Sequence, residues 1–179
     1  MVEIKGVNMK LRLRAPQLSD EKEYDAYLNE WLDPNKIVPY SSRLLHRTFE
    51  QFVKEIKPRE EGLIDPETRV PELILFTVDE NESIYGVVSF RLRLNDHLLA
   101  YDGHIGYGIR PSKRGLGYAK EQLRLTLALA KEKGYDRVLL TCNEENIASE
   151  KVILSQGGIL ENRVWKTDGY IKRYWIKLC

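Results

Sequence analysis

The strongest constraint on the fold lies in the middle of the chain, where an apolar strand, a glycine-rich turn and a long amphipathic helix follow one another directly. The segment occupies residues 109–120 and has the sequence IRPSKRGLGYAK. Backbone N–H groups at the start of a helix lack partners within the helix, and the helix dipole adds partial positive charge there. Phosphate oxygens bind such a terminus, and the small residues Gly117 and Ala119 leave space for them. We therefore expect a phosphorylated molecule to bind at this turn.

Composition narrows the class of protein. The chain has 179 residues, 42% hydrophobic and 31% charged, which is typical of one globular domain over residues 1–179. Its 28 basic and 27 acidic residues give a net charge of +1, so we expect no nucleic-acid partner and no membrane partner. The two cysteines, Cys142 and Cys179, lack zinc-like spacing, and we predict no metal site. The sequence shows neither a signal-peptide core nor a membrane-length apolar run, which favours a cytoplasmic location.

The order of helices and strands follows from apolar periodicity and from helix and strand breakers. Strands are predicted at residues 9–15, 72–78, 84–94, 104–109, 137–142, 159–164 and 171–178. Helices are predicted from Ser19 to Asp33, from a cap at Thr48 to Ile56, from the glycine turn to Gly134, and from Ile147 to Gln156. Residues 57–71 are predicted to form a loop. This order indicates an α/β (α+β) domain with a mixed, mostly antiparallel sheet of about seven strands and about four helices.

The residues of the turn resemble the signature of a known enzyme superfamily. Arg114-x-x-Gly117-x-Ala119 is similar to the motif of the GCN5-related N-acetyltransferases (GNATs), which has Arg or Gln, two residues, Gly, one residue, then Gly or Ala. The lead-in Ile109-x-Pro111 and the later run Asn146-Ile-Ala-Ser149 also fit. Residues 72–164 carry the resemblance, which is closest to uncharacterised predicted acetyltransferases of the superfamily. It implies a GNAT-like domain in which two central strands splay apart to hold acetyl-CoA.

The resemblance also implies which residues bind acetyl-CoA. The backbone around Ile109 would pair with the pantetheine arm, the turn would bind the pyrophosphate, and Asn146 would contact the arm. The full set of expected cosubstrate-binding residues is Ile109, Arg110, Arg114, Gly115, Leu116, Gly117, Tyr118, Ala119, Lys120, Asn146 and Ser149. Asn146 also has the position of a simple helix N-cap, and the two roles are compatible.

The groups that move protons are less well marked in the sequence. An alkylamine with a pKa of ~10.4 is almost wholly protonated at neutral pH, so transfer needs a route for its proton. His104, at the start of the central strand, is the leading catalytic candidate with Asp102 beside it, although a structural role for His104 is equally compatible with the sequence. GNATs often place a tyrosine seven residues after the helix asparagine to protonate the thiolate, and Ile153 stands there in this chain. The acid could be one of three other tyrosines, Tyr118, Tyr170 and Tyr174, or the thiolate could leave without an acid.

The sequence is compatible with two functions. The first is an N-acetyltransferase (EC 2.3.1.-) that transfers an acetyl group directly from acetyl-CoA to a primary amine of a small molecule or peptide. The alternative is a CoA-binding sensor or structural module of the same fold, which the missing tyrosine favours. A P-loop or Rossmann protein is disfavoured, because the chain lacks a Gly-x-x-x-x-Gly-Lys-Ser/Thr run and a third glycine after Gly117. A homodimer is also possible, with the final strand, residues 171–178, as one pairing edge.

Overall fold

The structure, a computed structural model, describes residues 10–178. Its strands are β1 (Arg12–Arg14), β2 (Glu72–Val78), β3 (Ile84–Arg91), β4 (Ile105–Ile109), β5 (Arg137–Asn143), β6 (Ile159–Lys166) and β7 (Gly169–Lys177). Its α-helices are α1 (Glu21–Asn29), α2 (Phe49–Glu60), α3 (Tyr118–Glu132) and α4 (Ile147–Ser155). The predicted α/β fold and the predicted order of elements are confirmed. Met9, where the first strand was predicted to begin, lies outside the described residues.

The strands form two antiparallel sheets, in the orders β1-β2-β3-β4 and β5-β7-β6. The sheets meet just before β4, where the His104 N–H donates to the Leu139 carbonyl over 2.7 Å and the Leu139 N–H donates to His104 Nδ1 over 2.9 Å. From this junction β4 and β5 continue in different sheets, which is the predicted splay. Gly103 permits the junction, since its φ is +66° and a Cβ there would approach the Leu139 oxygen to 2.4 Å.

Two hydrophobic clusters support the two sides of this splay. One lies among α3, α4 and both sheets, and the other lies beneath α1 and α2. In the second cluster Tyr24 and Tyr27, three residues apart on α1, are fully buried, and the ring of Tyr24 stacks on that of Phe76 at a centroid distance of 5.0 Å. Such aromatic pairs stabilise a fold by about 0.5–1.5 kcal/mol beyond the area they bury. The helical spacing of the apolar residues therefore fixes α1 against the sheet.

Helix α2 is longer than predicted. The predicted start of the following loop at Lys57 is wrong, because the helix continues through Pro58 to Glu60; residues 61–71 form the loop. Proline lacks one helical hydrogen bond, but Arg59 in the same turn pairs with Glu55 and with Glu72 of β2. These ion pairs hold the last turn of α2 against the sheet.

Strand β7 is not an edge strand. It lies between β5 and β6 and pairs with both, so the expectation that residues 171–178 pair with a second subunit is wrong. The edge strands of this sheet are β5, which borders the gap to β4, and β6, where Ile159, Leu160 and Trp165 are exposed. None of the helices within residues 10–178 is long and apolar enough to cross a membrane.

Candidate active site

A cavity of about 1020 Å³ opens where β4 and β5 diverge. Its walls are β4, the glycine turn with the start of α3, the end of β5 with the start of α4, and the segment that follows α1. Most of the residues predicted to bind the cosubstrate line it: Ile109, Arg114, Gly115, Gly117, Ala119, Lys120, Asn146 and Ser149. The structure thus brings together residues from two segments that are distant in the sequence.

The glycine turn presents a row of free backbone donors. Gly115 and Gly117 adopt left-handed φ angles of +73° and +85°, and α3 begins directly after Gly117. Among residues 10–178, no acceptor binds the N–H groups from Gly115 to Ala119, whereas the Lys120 N–H already donates to the Gly117 carbonyl. Unpaired N–H groups at a helix start, together with the positive end of its dipole, bind anions. The turn therefore suits a pyrophosphate.

The open edge of β4 offers a second set of backbone groups. At one end of the β3–β4 pairing, the Arg91 N–H donates to the His104 carbonyl, and at the other end the Arg110 N–H donates to the Tyr85 carbonyl. The even-numbered residues from 104 to 110 therefore direct their backbone groups towards β3. Alternate residues of a strand direct their backbone groups to opposite edges. Tyr107 and Ile109 therefore direct theirs towards the gap, where Arg114 Nε already donates to the Ile109 carbonyl over 3.0 Å. The Tyr107 backbone and the Ile109 N–H can pair with an extended ligand.

The segment that follows α1 forms another wall of the cavity. It lies directly on β4, since a Cβ at Gly108 would come within 2.3 Å of the Val38 carbonyl oxygen. Trp31, which is 8% exposed, stacks its ring under the guanidinium of Arg114 at 4.5 Å. Burial acts to raise the pKa of Glu30, but hydrogen bonds from Ser112 and Arg110 outweigh it and hold this pKa below its usual value. Glu30 is therefore ionised, and both of its carboxylate oxygens already accept hydrogen bonds.

Three side chains predicted to bind the cosubstrate do not line the cavity. Arg110 is buried, and its guanidinium pairs with Glu23 and Glu30 of the α1 segment at 2.7 Å each. Tyr118 packs edge-on against Tyr85 at 4.7 Å, and Leu116 is exposed. Arg110 is drawn away because two carboxylates reach it from α1, a contact that the local motif does not reveal.

Comparison with known proteins identifies the family to which this architecture belongs. A family model described as an acetyltransferase (GNAT) domain matches residues 10–159. The chain belongs to the GNAT acetyltransferase family. The predicted superfamily and enzyme class are therefore confirmed: this GNAT protein is an N-acetyltransferase. The comparison with curated proteins gives no match.

Solved structures share the fold at low sequence identity. YncA of Salmonella typhimurium, a putative acetyltransferase bound to acetyl-CoA, is 15% identical over 94% of each chain, with a TM-score of 0.60. The microcin C7 self-immunity acetyltransferase MccE, in complex with acetyl-CoA and AMP, is 21% identical over 93% of this chain and 92% of its own, with a TM-score of 0.65. A spermidine N-acetyltransferase SpeG chimera from Vibrio cholerae and hSSAT is 16% identical over 94% and 95%, with a TM-score of 0.63.

The structure places neither predicted catalytic residue of this GNAT enzyme in the cavity. His104 is 9% exposed at the sheet junction, and its Nδ1 is occupied by the Leu139 N–H. Burial lowers the pKa of His104 to about 4, so the ring is neutral at pH 7. Asp102 pairs with His97 and with Lys166 on the outer side of the junction. This geometry gives a proton-transfer role for His104 and Asp102 no support.

A tyrosine that the sequence analysis missed does line the cavity. The Tyr107 hydroxyl lies 3.1 Å from Ser149 Oγ, and burial raises the pKa of Tyr107 to about 12. The signal was present in the sequence, because Tyr107 stands two residues before Ile109 and therefore shares its side of the strand. None of the three tyrosines considered earlier lines the cavity: Tyr118, Tyr170 and Tyr174.

The remaining residues of interest have clear positions. Asn146 Oδ1 accepts the Ser149 N–H at 3.0 Å while Asn146 lines the cavity, so it is an N-cap that also faces the site. Ile153 is fully buried in the core. Burial raises the pKa of the Cys142 thiol to about 11, which keeps it from acting as a thiolate nucleophile at neutral pH. In the described part of the chain, no cluster of three or more His, Cys, Asp or Glu could hold a metal ion.

Proposed function

We propose that this GNAT enzyme transfers the acetyl group of acetyl-CoA directly to a primary amine of a small molecule or peptide. The observation that carries the proposal is the single cavity of about 1020 Å³, which joins the free N–H groups of the glycine turn to the open edge of β4 and to the segment after α1. Two substrates can occupy such a space together. Spermidine is the acceptor named for the SpeG neighbour, which fits an amine as the general acceptor class.

The cosubstrate would be held mainly by backbone groups. The N–H groups from Gly115 to Ala119 would bind the pyrophosphate, and each contact with the helix terminus would contribute about 0.3–1 kcal/mol. Lys113 and Lys120 line the same part of the cavity and add positive charge. The arm of the cosubstrate would pair with the Tyr107 backbone along the free edge of β4, which leaves the Ile109 N–H for the thioester end. Asn146 and Ser149 would contact the arm from the other side of the gap, at the start of α4.

The transfer itself needs little from ionisable side chains. The amine nitrogen attacks the thioester carbonyl carbon, the C–N bond forms, the C–S bond breaks, and the proton lost by the nitrogen balances the proton gained by sulfur. The Ile109 N–H would donate to the developing oxyanion. The Tyr107 hydroxyl, protonated at neutral pH, would donate a hydrogen bond to the departing sulfur. Converting the incoming ammonium to its free amine costs about 4–5 kcal/mol at pH 7, and its proton would leave through water in the open cavity.

Thermal unfolding with acetyl-CoA, CoA and ATP tests the binding half of the proposal. A ligand at about a hundred times its Kd stabilises a protein by about 2.7 kcal/mol, which raises the Tm of a chain of this size by about 5–10 °C. We expect such a shift with both CoA species and little with ATP. No shift with either CoA species would contradict the assignment of the glycine turn.

Release of free thiol with a panel of amines tests the catalytic half. We expect thiol release from acetyl-CoA to depend on an added primary amine. Strong acetyl-CoA binding without thiol release from any amine would instead favour the sensor module that the sequence left open. The two measurements thus separate binding from turnover.

A further inference from the structure

Arg43 lies between the main cavity and a second, smaller one. It lines both the 1020 Å³ cavity and an adjacent cavity of about 300 Å³. Arg43 Nε donates to the Ile37 carbonyl over 2.8 Å, and its guanidinium lies over the Tyr40 ring at 4.8 Å from the centroid. These two contacts orient the guanidinium plane. Within residues 10–178, Arg43 takes part in no ion pair, and its two Nη groups have no acceptor.

Within the described residues, the second cavity combines several ion pairs with one unpaired cation, Arg43. Beside Arg43 it is lined by three more arginines and by two carboxylates: Arg47, Arg59, Arg69, Glu55 and Asp65. Arg59 is 5% exposed, and its Nε has no hydrogen-bond partner in the described part of the protein. Burial lowers the pKa of Arg47, and the charge of Arg59 acts in the same direction. Arg47, Arg59 and Arg69 are paired with Glu55, Glu72 and Asp65, so Arg43 is the arginine of this lining that no ion pair within residues 10–178 neutralises. Its charge attracts anions and repels cations.

The loop that carries Arg43 is fixed close to the site of acetyl transfer. The Val38 carbonyl lies against Gly108, and a Cβ at Gly106 would contact the Pro39 ring at 3.3 Å. These contacts bracket Tyr107 on β4. An acceptor whose amine reaches the open edge of β4 is therefore within a short chain length of Arg43.

In the segment that follows α1, which we call the acceptor wall, the described cations outside ion pairs outnumber the described carboxylates outside ion pairs. The carboxylate of Glu30 is engaged by Arg110 and Ser112, and that of Asp33 caps the Asn35 N–H over 2.9 Å. Lys36 lines the same wall, is exposed, and belongs to none of the ion pairs found between residues 10 and 178. Asp33 is thus the one carboxylate that this wall contributes outside an ion pair within residues 10–178, against two such cations, Lys36 and Arg43, and this balance disfavours a polycationic acceptor.

From this charge arrangement we infer that the acceptor is an amine that also carries an anionic group, a carboxylate or a phosphate, and that Arg43 binds this group. The inference rests on the proposed function and specifies the acceptor class for the same site. A planar guanidinium held by its Nε keeps two parallel N–H donors for a carboxylate or phosphate. Lys36 adds charge from the same wall.

Matched pairs of amines test the inference by acetyl-CoA-dependent thiol release. One pair is an amino acid and its carboxamide, a second is phosphoethanolamine and ethanolamine, and spermidine is the polycationic probe. We expect kcat/KM to be about tenfold or more higher for the anionic member of a pair, which is the effect of one charge-assisted contact. The carboxylate and phosphate pairs together show which anion fits better.

Variants separate recognition by Arg43 from a structural role. Arg43→Gln should abolish the preference by raising the KM of the anionic amine while kcat and acetyl-CoA affinity stay near wild type, and Arg43→Lys should restore part of the preference. Arg93→Gln is the control, since Arg93 is exposed and lines neither cavity. A loss of preference through kcat alone, or an equal loss in Arg93→Gln, would contradict the inference.

A binding measurement covers the case in which none of these amines is turned over. With the protein saturated with CoA, phosphoethanolamine should raise the Tm further and ethanolamine should not, and Arg43→Gln should remove the difference. If CoA stabilises the protein but no anionic amine is bound or acetylated in preference to its partner, the inference fails and the proposed function stands. If CoA itself does not bind, the proposed function fails first.

Discussion

The Tyr107 hydroxyl lies 3.1 Å from Ser149 Oγ, so a side chain of β4 crosses the gap to the first turn of α4. Ile153, one turn further along α4, is fully buried in the core and leaves that helix without a phenol at this position. The two elements that hold the cosubstrate arm in the proposed function are thus connected through Tyr107. In the proposed function, the phenol of Tyr107 on β4 would supply the donor that the helix lacks.

Replacing Tyr107 by phenylalanine tests whether this phenol assists the leaving sulfur. We expect kcat to fall by about a hundredfold, the usual effect of losing one donor or general acid, with the KM of acetyl-CoA nearly unchanged. Because burial raises the pKa of Tyr107 to about 12, the phenol remains protonated throughout the neutral range. Steady-state kinetics with saturating amine gives both constants.

Tyr174→Phe is the matched control for Tyr107→Phe. Tyr174 is also a buried tyrosine whose hydroxyl donates to a side chain on α4, in this case Glu150, but it does not line the cavity. Its replacement removes one hydrogen bond, a loss of about 1 kcal/mol in stability, and should leave kcat near wild type. Equal kcat values for wild type and Tyr107→Phe would exclude the phenol from the mechanism.

Gly117→Asp tests the glycine turn as the phosphate site. An aspartate at φ +85° adds negative charge beside the free N–H groups, and we expect acetyl-CoA affinity to fall by about a hundredfold. Gly134→Asp is a close control, since Gly134 has φ +87° and open space around it at the other end of α3. Both variants should lose about 1–3 kcal/mol of stability through the same backbone strain. Isothermal titration with acetyl-CoA should distinguish them, and equal affinities would place the pyrophosphate elsewhere.

How far the sequence could predict this protein depends on the separation of the interacting residues. The glycine turn, the Thr48 cap and the Asn146 cap act within a few residues, and the sequence predicted the local structure of each. His104 and Arg110 are different, because their partners are distant along the chain. Leu139 is 35 residues from His104, and Glu23 is 87 residues from Arg110. Only the fold brings those groups together.

The same limit applies to the acceptor wall. Arg43 faces both cavities because the loop after α1 lies across Gly108, a contact between backbones that no local pattern encodes. The extension of α2 through Pro58 likewise depends on Glu72, a residue of β2. Local rules therefore predict the glycine turn that lines the cavity, whereas the position of the segment after α1 on the same cavity depends on tertiary packing.

The pH dependence of stability tests the structural role of His104. Its pKa is about 4 in the folded protein and ~6.5 when unfolded, so the unfolded state binds the proton more tightly between these values. The neutral ring thus stabilises the fold above about pH 6.5, and this stability is lost as the pH falls towards 4. We expect a loss of about 2 kcal/mol, after allowance for solvent near the ring.

His104→Asn should be less stable than wild type at pH 7, and its stability should fall less between pH ~6.5 and pH ~4. Urea unfolding at several pH values measures this difference. The variant should also keep the wild-type pH profile of kcat between about pH 6 and about pH 9, where a neutral histidine with this pKa does not titrate. A rate that loses its pH dependence in the variant would return His104 to the mechanism.

Arg110 should matter more to stability than any exposed arginine of the chain. Its buried guanidinium neutralises Glu23 and Glu30, so Arg110→Gln leaves two carboxylates without their cation. We expect a loss of about 3 kcal/mol, or a Tm lower by about 6–12 °C. Arg12→Gln is the control, because Arg12 pairs with Glu82 at the surface and such pairs contribute about 0–1 kcal/mol.

Adding Glu30→Gln to Arg110→Gln separates charge from packing. If the unpaired carboxylate causes the loss, the double variant should recover part of the stability, and the two changes will not be additive. Glu30 also accepts the Ser112 N–H just before the glycine turn, so this pair links α1 to the cosubstrate site. Arg110→Gln should therefore raise the KM of acetyl-CoA although its side chain lies outside the cavity. A stability loss no larger than that of Arg12→Gln, with an unchanged KM, would contradict both expectations. It would show that the ion pairs of Arg110 add little to stability and that the Glu30–Ser112 contact does not affect acetyl-CoA binding.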